Sequence, residues 1–299
     1  MTDPELVRTQ TFPLPGPLEL DIAVTAGKVE VKLDATTEAE ATVEIRHDPD
    51  AQQPWSQGIS SLLSWVSERF GDQLGTDLNG TPADAVQQTR LEQTGNRLTV
   101  HAPKALPLRN IPLAVTVIAP AGTTVETRAG SADVTVTGPA GRVDLATGAG
   151  EIRLDRTEGA ATVRSGSGAI RLGPTLAGLH LRTGSGAVEV ASLSGSATLA
   201  TGTADVWLGT VSGSVLARSG SGDVTVAEAA GGNLELVTGS GDVRVGVRPG
   251  VTAEVDLTAS AGTVSSELDV SLERPDGEIP LNVRARTGSG TVVVARAAQ

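Results

Sequence analysis

The sequence is poor in several residue types, and each shortage excludes a class of structure. It has no Cys and no Tyr, and aromatic residues make up 2% of its 299 residues. The lack of Cys excludes disulfides and thiolate metal sites, while fitting either redox compartment. Few bulky aromatic side chains, together with 36 Gly, predict a thin core of Val, Leu, Ile and Ala with many turns.

Lysine is also scarce, and the 35 Asp and Glu outnumber the 23 Lys and Arg. Lys occurs only at Lys28, Lys32 and Lys104, and the formal net charge is −12. A surface of this sign repels phosphate backbones, so we expect no nucleic-acid partner.

Long apolar runs and an export signal are missing as well. No stretch approaches the roughly 18 uninterrupted apolar residues of a membrane-spanning helix. The first residues, Met-Thr-Asp-Pro-Glu-Leu-Val, carry acids and Pro where a secretory signal needs basic residues and an apolar run. The sequence therefore predicts a cytoplasmic location.

What the sequence does contain is an internal repeat. A six-residue phrase, with forms such as TGSGAV, TGTADV and SGSGDV, recurs along the second half of the chain. It begins at residues 129, 147, 165, 183, 201 and 219, always 18 residues apart, and again at 238, 259 and 287. A fixed period of this kind indicates a repeat architecture in which each unit stacks on the next.

Each period contains two short strands separated by two Gly-rich corners. Apolar and polar residues alternate on both sides of a corner, as in Val143-Asp-Leu145 before it and Ile152-Arg-Leu154 after it. We expect the corner glycines to adopt the positive φ values of sharp turns. Stacked coils bury every inward row, whereas two strands per period are too few for separate hairpins. The sequence thus predicts an all-β, single-domain parallel β-solenoid over residues 123–299, roughly 40 Å long at about 4.8 Å per coil.

Residues 1–122 predict a β-rich N-terminal layer that is continuous with the solenoid. Ala26-Gly-Lys-Val-Glu-Val31 resembles one more corner phrase, as though an early coil begins there. Four alternating stretches predict strands, at 18–24, 41–45, 97–100 and 113–118.

An insertion at about 50–90 carries an amphipathic helix at 55–70, followed by a polar segment through Thr89 that we interpret as a loop. The helix is one candidate for a cap on the open end of the solenoid. It is also a candidate for docking a partner protein or a second copy, or for weak peripheral contact with a membrane. The partner-binding candidates within it are Trp55, Ile59, Leu62, Leu63, Trp65, Val66 and Phe70.

Trp207 is a further partner-binding candidate. Its neighbours Val206 and Leu208 face inward, so its indole should lie on the outer face between Glu189 and Thr225. Such a residue either covers adjacent small side chains or anchors a partner, because Trp is enriched at interaction hot spots.

A row of Asp residues follows the corners. In a solenoid Asp205, Asp223 and Asp242 would stack about 5 Å apart, close enough to share a calcium ion. The alternative is that each carboxylate accepts hydrogen bonds from turn amides or pairs with an Arg across the corner, such as Arg218 with Asp223.

Catalysis is not expected. The histidines at 47, 101 and 180 have no neighbouring motif. The corner serines form a ladder and not a nucleophile with its base. We predict no catalytic residue and no cofactor.

The repeat pattern resembles a known bacterial family. Ile118-Ala-Pro-Ala-Gly122, the early corner phrase at 26–31, and the phrases SGSGDV at 219 and TGSGDV at 238 are similar to the putative-adhesin, or toastrack, family of β-strand-repeat proteins of unknown function. This resemblance implies a β-solenoid-like fold, association with cell-envelope stress systems, and no established catalysis. The repeat is more weakly similar to bactofilins, cytosolic β-helices that polymerise end to end.

These observations lead to one predicted function and two alternatives. The prediction is a non-enzymatic protein-interaction or scaffolding module. The first alternative is a self-assembling, cytoskeleton-like protein, against which the long, irregular stretch 248–280 argues. The second alternative is a calcium- or sugar-binding solenoid that uses its Asp, Thr and Arg rows.

Overall fold

The computed structural model describes residues 6–34, 36, 40–49, 51, 80–268 and 279–298. The predicted helix at 55–70, with its seven candidate residues, lies outside the described residues. Within them the chain forms twenty-three strands, one α-helix and one 3₁₀ helix.

The strands divide into an N-terminal set, a set of regular coils and a C-terminal pair. The N-terminal elements are β1 (Val7–Pro13), β2 (Glu19–Val24), β3 (Gly27–Asp34), β4 (Glu40–His47), α1 (Pro82–Gln88), β5 (Arg90–Thr94), β6 (Arg97–His101), the 3₁₀ helix (Leu108–Asn110) and β7 (Leu113–Pro120). The coils comprise β8 (Thr124–Ala129), β9 (Asp133–Ala140), β10 (Val143–Thr147), β11 (Ile152–Thr157), β12 (Ala161–Ser165), β13 (Ile170–Thr175), β14 (Leu179–Thr183), β15 (Val188–Leu193), β16 (Ala197–Thr201), β17 (Val206–Val211), β18 (Val215–Ser221), β19 (Val224–Ala229), β20 (Gly232–Ser240) and β21 (Val243–Val247). The C-terminal pair is β22 (Ala253–Ser266) and β23 (Leu281–Arg296).

The coils confirm the predicted parallel β-solenoid. The first strand of each coil pairs in parallel with the first strand of the next, and the second strand with the second. Leu145 lies opposite Val163, and Leu181 opposite Leu199, so residues 18 positions apart are neighbours. All four side chains are buried, as the alternation predicted.

The coils build two walls. Wall A consists of the first strands of the coils, β8 to β20 in even numbers, together with β2, β6, β5 and the N-terminal halves of β22 and β23. Wall B consists of the second strands, β9 to β21 in odd numbers, together with β3, β7, β4, β1 and the C-terminal halves of β22 and β23.

At both ends the stacking order departs from the chain order. The coil β2–β3 lies between β6–β7 and β8–β9, so β8 joins the stack on the opposite side from β6. The strand β23 likewise lies between the coil β20–β21 and β22. The early corner phrase is thereby confirmed as a coil, because Lys28 stands in register with the corner residue Asp133.

The stretch 248–280 is more regular than the sequence indicated. Residues 253–266 form β22, which pairs over its length with β23. Its inward positions are Val, Leu and Ala at period two, but they are only partly buried because β22 ends the stack of described strands. The expectation of an irregular segment was wrong for these residues.

The polar segment before Thr89 was expected to be a loop, but it contains α1. The amide of Asp84 donates to the Thr81 hydroxyl at 3.2 Å, and the Thr81 amide donates to the Asp84 carboxylate at 2.9 Å. This capping box, with Pro82 in the first turn, starts the helix. Ala85 and Val86 are buried, and α1 packs against β1 and β4. The burial of Ala85 and Val86 stabilises a helix in a segment whose average composition is polar.

The corner glycines are required more by close stacking than by turn geometry. Gly186 has a positive φ of 103°, as expected. Gly168, at the same place in the preceding coil, does not, yet a Cβ there would lie 1.9 Å from the carbonyl oxygen of Gly150. The expectation of positive φ is met at Gly186, Gly222 and Gly241 but was wrong at Gly168. At Gly168 glycine is required because the backbones of adjacent coils approach too closely for any side chain.

Candidate interaction surface

Trp207 lies on the outer side of wall B. Its neighbours Val206 and Leu208 are buried, while Trp207 is 45% exposed. Register places it between Glu189 and Thr225 of the adjacent strands, where the sequence predicted it.

The indole of Trp207 lies along its own strand. A Cβ on Gly209 would be 3.2 Å from the far ring carbon Cη2, so the ring covers the glycine two residues on. Gly209 is accordingly buried, although it points outward. Because residue 209 is glycine, the indole of Trp207 can pack flat against the outer surface of the sheet while much of its area stays exposed to solvent.

The corner carboxylates form a hydrogen-bonded ladder. The amide of Asp223 donates to Asp205 at 2.9 Å, the amide of Asp242 donates to Asp223 at 2.8 Å, and the amide of Thr291 donates to Asp242 at 2.8 Å. Each carboxylate thus satisfies a backbone amide one coil further along. Asp133 does the same for Glu151 at 2.7 Å.

One arginine pairs with this ladder across the coils. Arg244 bridges Asp223 and Asp242 at 3.4 and 2.5 Å. Arg218, which the sequence placed beside Asp223, pairs instead with Glu235 at 3.6 Å on wall A. The geometry supports the turn-amide interpretation of the Asp row. Among the described residues no group of three or more His, Cys, Asp or Glu side chains is arranged to hold a metal ion.

A second ladder, of buried hydroxyls, was not predicted. The first residue of most corner phrases is Thr or Ser, and it points inward. The amide of Gly150 donates to the Thr147 hydroxyl, and the amide of Gly168 to that of Ser165, each at 3.0 Å. The buried members of this row are Thr147, Ser165, Thr183, Thr201, Ser219, Thr238 and Thr287. The recurring Thr or Ser was visible in the phrase, but its burial follows only from the corner geometry.

A charged cluster on wall A was also missed. Arg97 donates to Asp21 at 2.6 Å, and His101 Nε2 lies 3.1 Å from the other oxygen of Asp21. Arg97 also reaches Glu126 at 3.2 Å, and Glu126 pairs with Arg128. The partners are 76 and 80 residues from Asp21 in sequence, so no local motif could reveal them.

The environment of Asp21 favours its charged form. Burial by itself would raise its pKa, but the hydrogen bonds from Arg97 and His101 outweigh burial and hold the pKa below the ordinary 3.8. The cluster therefore neutralises the nearly buried carboxylate of Asp21 on β2, which lies between β6 and β8. Its role is structural, because β2 joins the N-terminal set to the coils.

Solved structures of similar shape carry descriptive names. The chain resembles a "putative adhesin" from Bacteroides fragilis, with 13% identity, 96% of each chain covered and a TM-score of 0.45. It also resembles a "putative lipid binding protein" from Parabacteroides distasonis, with 12% identity, 97% of this chain and 96% of that chain covered, and a TM-score of 0.43. A "putative cell adhesion protein" from Clostridium sporogenes aligns over 97% and 99% of the two chains at 9% identity, with a TM-score of 0.20. Scores this low support no argument about function.

No helix of the described residues is long and apolar enough to span a bilayer. No curated protein has a significantly similar sequence. The family model Toastrack DUF4097 matches residues 78–294, which is well over half of the chain. The β-solenoid and the matched sequence together show that this chain belongs to the toastrack family.

Proposed function

We propose that this protein is a non-enzymatic, cytoplasmic interaction module that holds a protein partner against wall B around Trp207. The observation that carries the proposal is the indole of Trp207, 45% exposed on the outer side of the sheet. Trp residues on rigid elements are favoured anchors because they offer large contact area at little conformational cost.

The chemistry of the surface supports an interaction role. The corner carboxylates accept hydrogen bonds from backbone amides, and the buried hydroxyls bond to the backbone of the corners. Neither row therefore offers an activated nucleophile or a general base. Membership of the toastrack family suggests the same class of function. A link to cell-envelope stress remains part of the proposal on the strength of the family resemblance.

The test is a substitution at Trp207 with a matched neighbour as control. A photo-crosslinking residue at 189, directly beside Trp207, identifies the partner in the source cells. Calorimetry then measures the affinity of that partner for purified wild type, Trp207→Ala and Thr225→Ala. We expect Trp207→Ala to weaken binding by about tenfold or more and Thr225→Ala to change it little. Equal affinities for all three would contradict the proposal.

The helix predicted at 55–70 is a separate part of this hypothesis. Deleting residues 52–72 should abolish partner capture while leaving the β-type circular dichroism spectrum intact. A collapse of that spectrum would identify the segment as a structural cap.

A second candidate function is self-association through β22. This strand ends the described stack, and Val264 on it is 48% exposed. Terminal strands with partly exposed apolar residues favour pairing with another chain. If β22 mediates assembly, light scattering will show a mass that grows with concentration from the monomer mass of 30.3 kDa, and Val264→Lys will reduce that growth. A mass that stays at the monomer value throughout would remove this candidate.

A further inference from the structure

Wall A contains a zone of positive charge in a protein of net charge −12. The strands β12, β14, β16 and β18 read ATVRS, LHLRT, ATLAT and VLARSGS, and none contains Asp or Glu. We call their principal outward residues the arginine patch: Arg164, His180, Arg182, Thr198, Leu216 and Arg218. At about 4.8 Å per strand the patch spans roughly 14 Å along the solenoid.

Register brings two of these arginines face to face. Arg164 in β12 lies directly opposite Arg182 in β14. Like charges in register on neighbouring strands destabilise a sheet. Arg164 has one carboxylate near it, Asp144 at 3.5 Å, and among the described residues Arg182 makes no ion pair.

Wall B shows how the same arrangement is neutralised within the chain. Arg153 and Arg171 are also opposite each other in register. Glu151 pairs with both, at 2.6 Å from Arg153, and Glu189 lies 3.4 Å from Arg171. The pair on wall A lacks a carboxylate that bridges both arginines, so in the described part of the chain the charge of Arg182 remains available to an external anion.

We propose that the arginine patch binds an acidic segment of a partner protein, with Asp or Glu carboxylates bridging Arg164 and Arg182. A guanidinium binds a carboxylate through two parallel hydrogen bonds, and two adjacent guanidiniums suit one or two carboxylates. The Thr198 hydroxyl offers a further hydrogen bond, and Leu216 provides apolar contact beside the charges.

A long polyanion fits this surface less well than a short acidic segment. The overall negative charge of the protein repels any extended polyanion, whether it carries phosphates or carboxylates. Asp144 and Glu235 also border the patch on either side, where they pair with Arg164 and Arg218 at 3.5 and 3.6 Å. The site therefore accommodates a few carboxylates and limits any extension along the solenoid axis. It lies on the opposite wall from Trp207 and extends the proposed function to a second surface.

The experiment uses the full chain and a fluorescein-labelled hexaglutamate peptide. Fluorescence anisotropy is measured at about 100 mM salt, where a Debye length of about 10 Å screens the distant carboxylates. A labelled hexathymidylate serves as the phosphate comparison. The variants are Arg182→Ala, the matched Arg171→Ala on wall B, and Trp207→Ala.

We expect hexaglutamate to bind the wild type, and Arg182→Ala to weaken binding by about tenfold. Arg171→Ala and Trp207→Ala should leave it unchanged, so the patch and the Trp207 surface are tested separately. The proposal is overturned if hexaglutamate does not bind, if Arg182→Ala binds as well as the wild type, or if Arg171→Ala loses as much. Tighter Arg182-dependent binding of hexathymidylate would overturn the choice of carboxylate and assign the patch to phosphate.

Discussion

The regular coils β8–β21 and the N-terminal set β1–β7 belong to one hydrogen-bonded sheet but are held together by different means. In the coils, each residue contacts an equivalent residue about 18 positions away, so one solution to burial and hydrogen bonding is repeated. In the N-terminal set, the contacts are individual, such as the pairing of Asp21 with Arg97 and His101 across 76 and 80 residues. The difference shows that repetition specifies the interior of a solenoid, whereas joining its end to the coils requires specific pairs.

The largest effect is expected from a side chain added at a coil corner. Gly168→Ala would place a Cβ 1.9 Å from the Gly150 carbonyl oxygen, and the backbone of one coil cannot move without disturbing the next. We expect the free energy of unfolding, measured by urea titration, to fall by about 3 kcal/mol or more.

The matched control lies in the N-terminal set. Gly95, in the turn between β5 and β6, has a φ of +59°, and a Cβ added there would meet no described atom within 4 Å. Asn tolerates this conformation, so Gly95→Asn should change stability by no more than about 0.5 kcal/mol. Similar losses for both variants would show that the corners have no special packing requirement.

The next largest effect concerns the charged cluster. Asp21→Asn removes the negative charge with which both Arg97 and His101 interact. We expect the free energy of unfolding to fall by about 2 kcal/mol at pH 7. Because the pKa of Asp21 is lowered in the folded protein, its stabilising contribution is complete above the ordinary 3.8 and is lost as the pH falls through the folded value.

The stability difference between wild type and Asp21→Asn should therefore be fully present above pH 3.8 and shrink as the pH falls below that value. Urea titrations at pH 7 and pH 3 measure it. Glu92→Gln, which disrupts an exposed pair with Arg90 on β5, is the control and should have little effect at either pH. A difference that is independent of pH would show that Asp21 acts through its shape and not its charge.

The smallest effect is expected at the seam between the two regions, and it has the opposite sign. Thr127 on β8 lies between Ile22 and Leu145, and its buried hydroxyl has no hydrogen-bond partner in the part of the chain that the structure describes. Thr127→Val keeps the shape and removes the unpaired group, so we expect a gain of about 1 kcal/mol.

The hydroxyl ladder provides the comparison for that variant. Thr147→Val leaves the Gly150 amide without its acceptor, and stability should fall by about 1–2 kcal/mol. The two Thr→Val changes should therefore move the urea midpoint in opposite directions. A loss at Thr127 would mean that its hydroxyl has a partner.

Particular residues show how far prediction from the sequence extended. Leu145 and Val163 were assigned to one inward row from the 18-residue period, and Trp207 to the outer face between Glu189 and Thr225. The same period also places Arg164 opposite Arg182. This pair was not predicted, because only the Lys residues were considered as a source of local positive charge. The candidate helix at 55–70 and the domain boundaries remain predictions.

The sequence by itself determined the coil: its length, its inward rows and the walls to which its side chains belong. It could do so because a strand has a period of two and the repeat has a period of 18, so local pattern and stacking coincide. Only the tertiary structure decided the order of strands at the two ends, the pairing of Asp21 with His101, and the reason that Gly168 must be glycine. These depend on contacts between segments whose separation follows no period, and on backbone distances between coils that no side-chain pattern encodes.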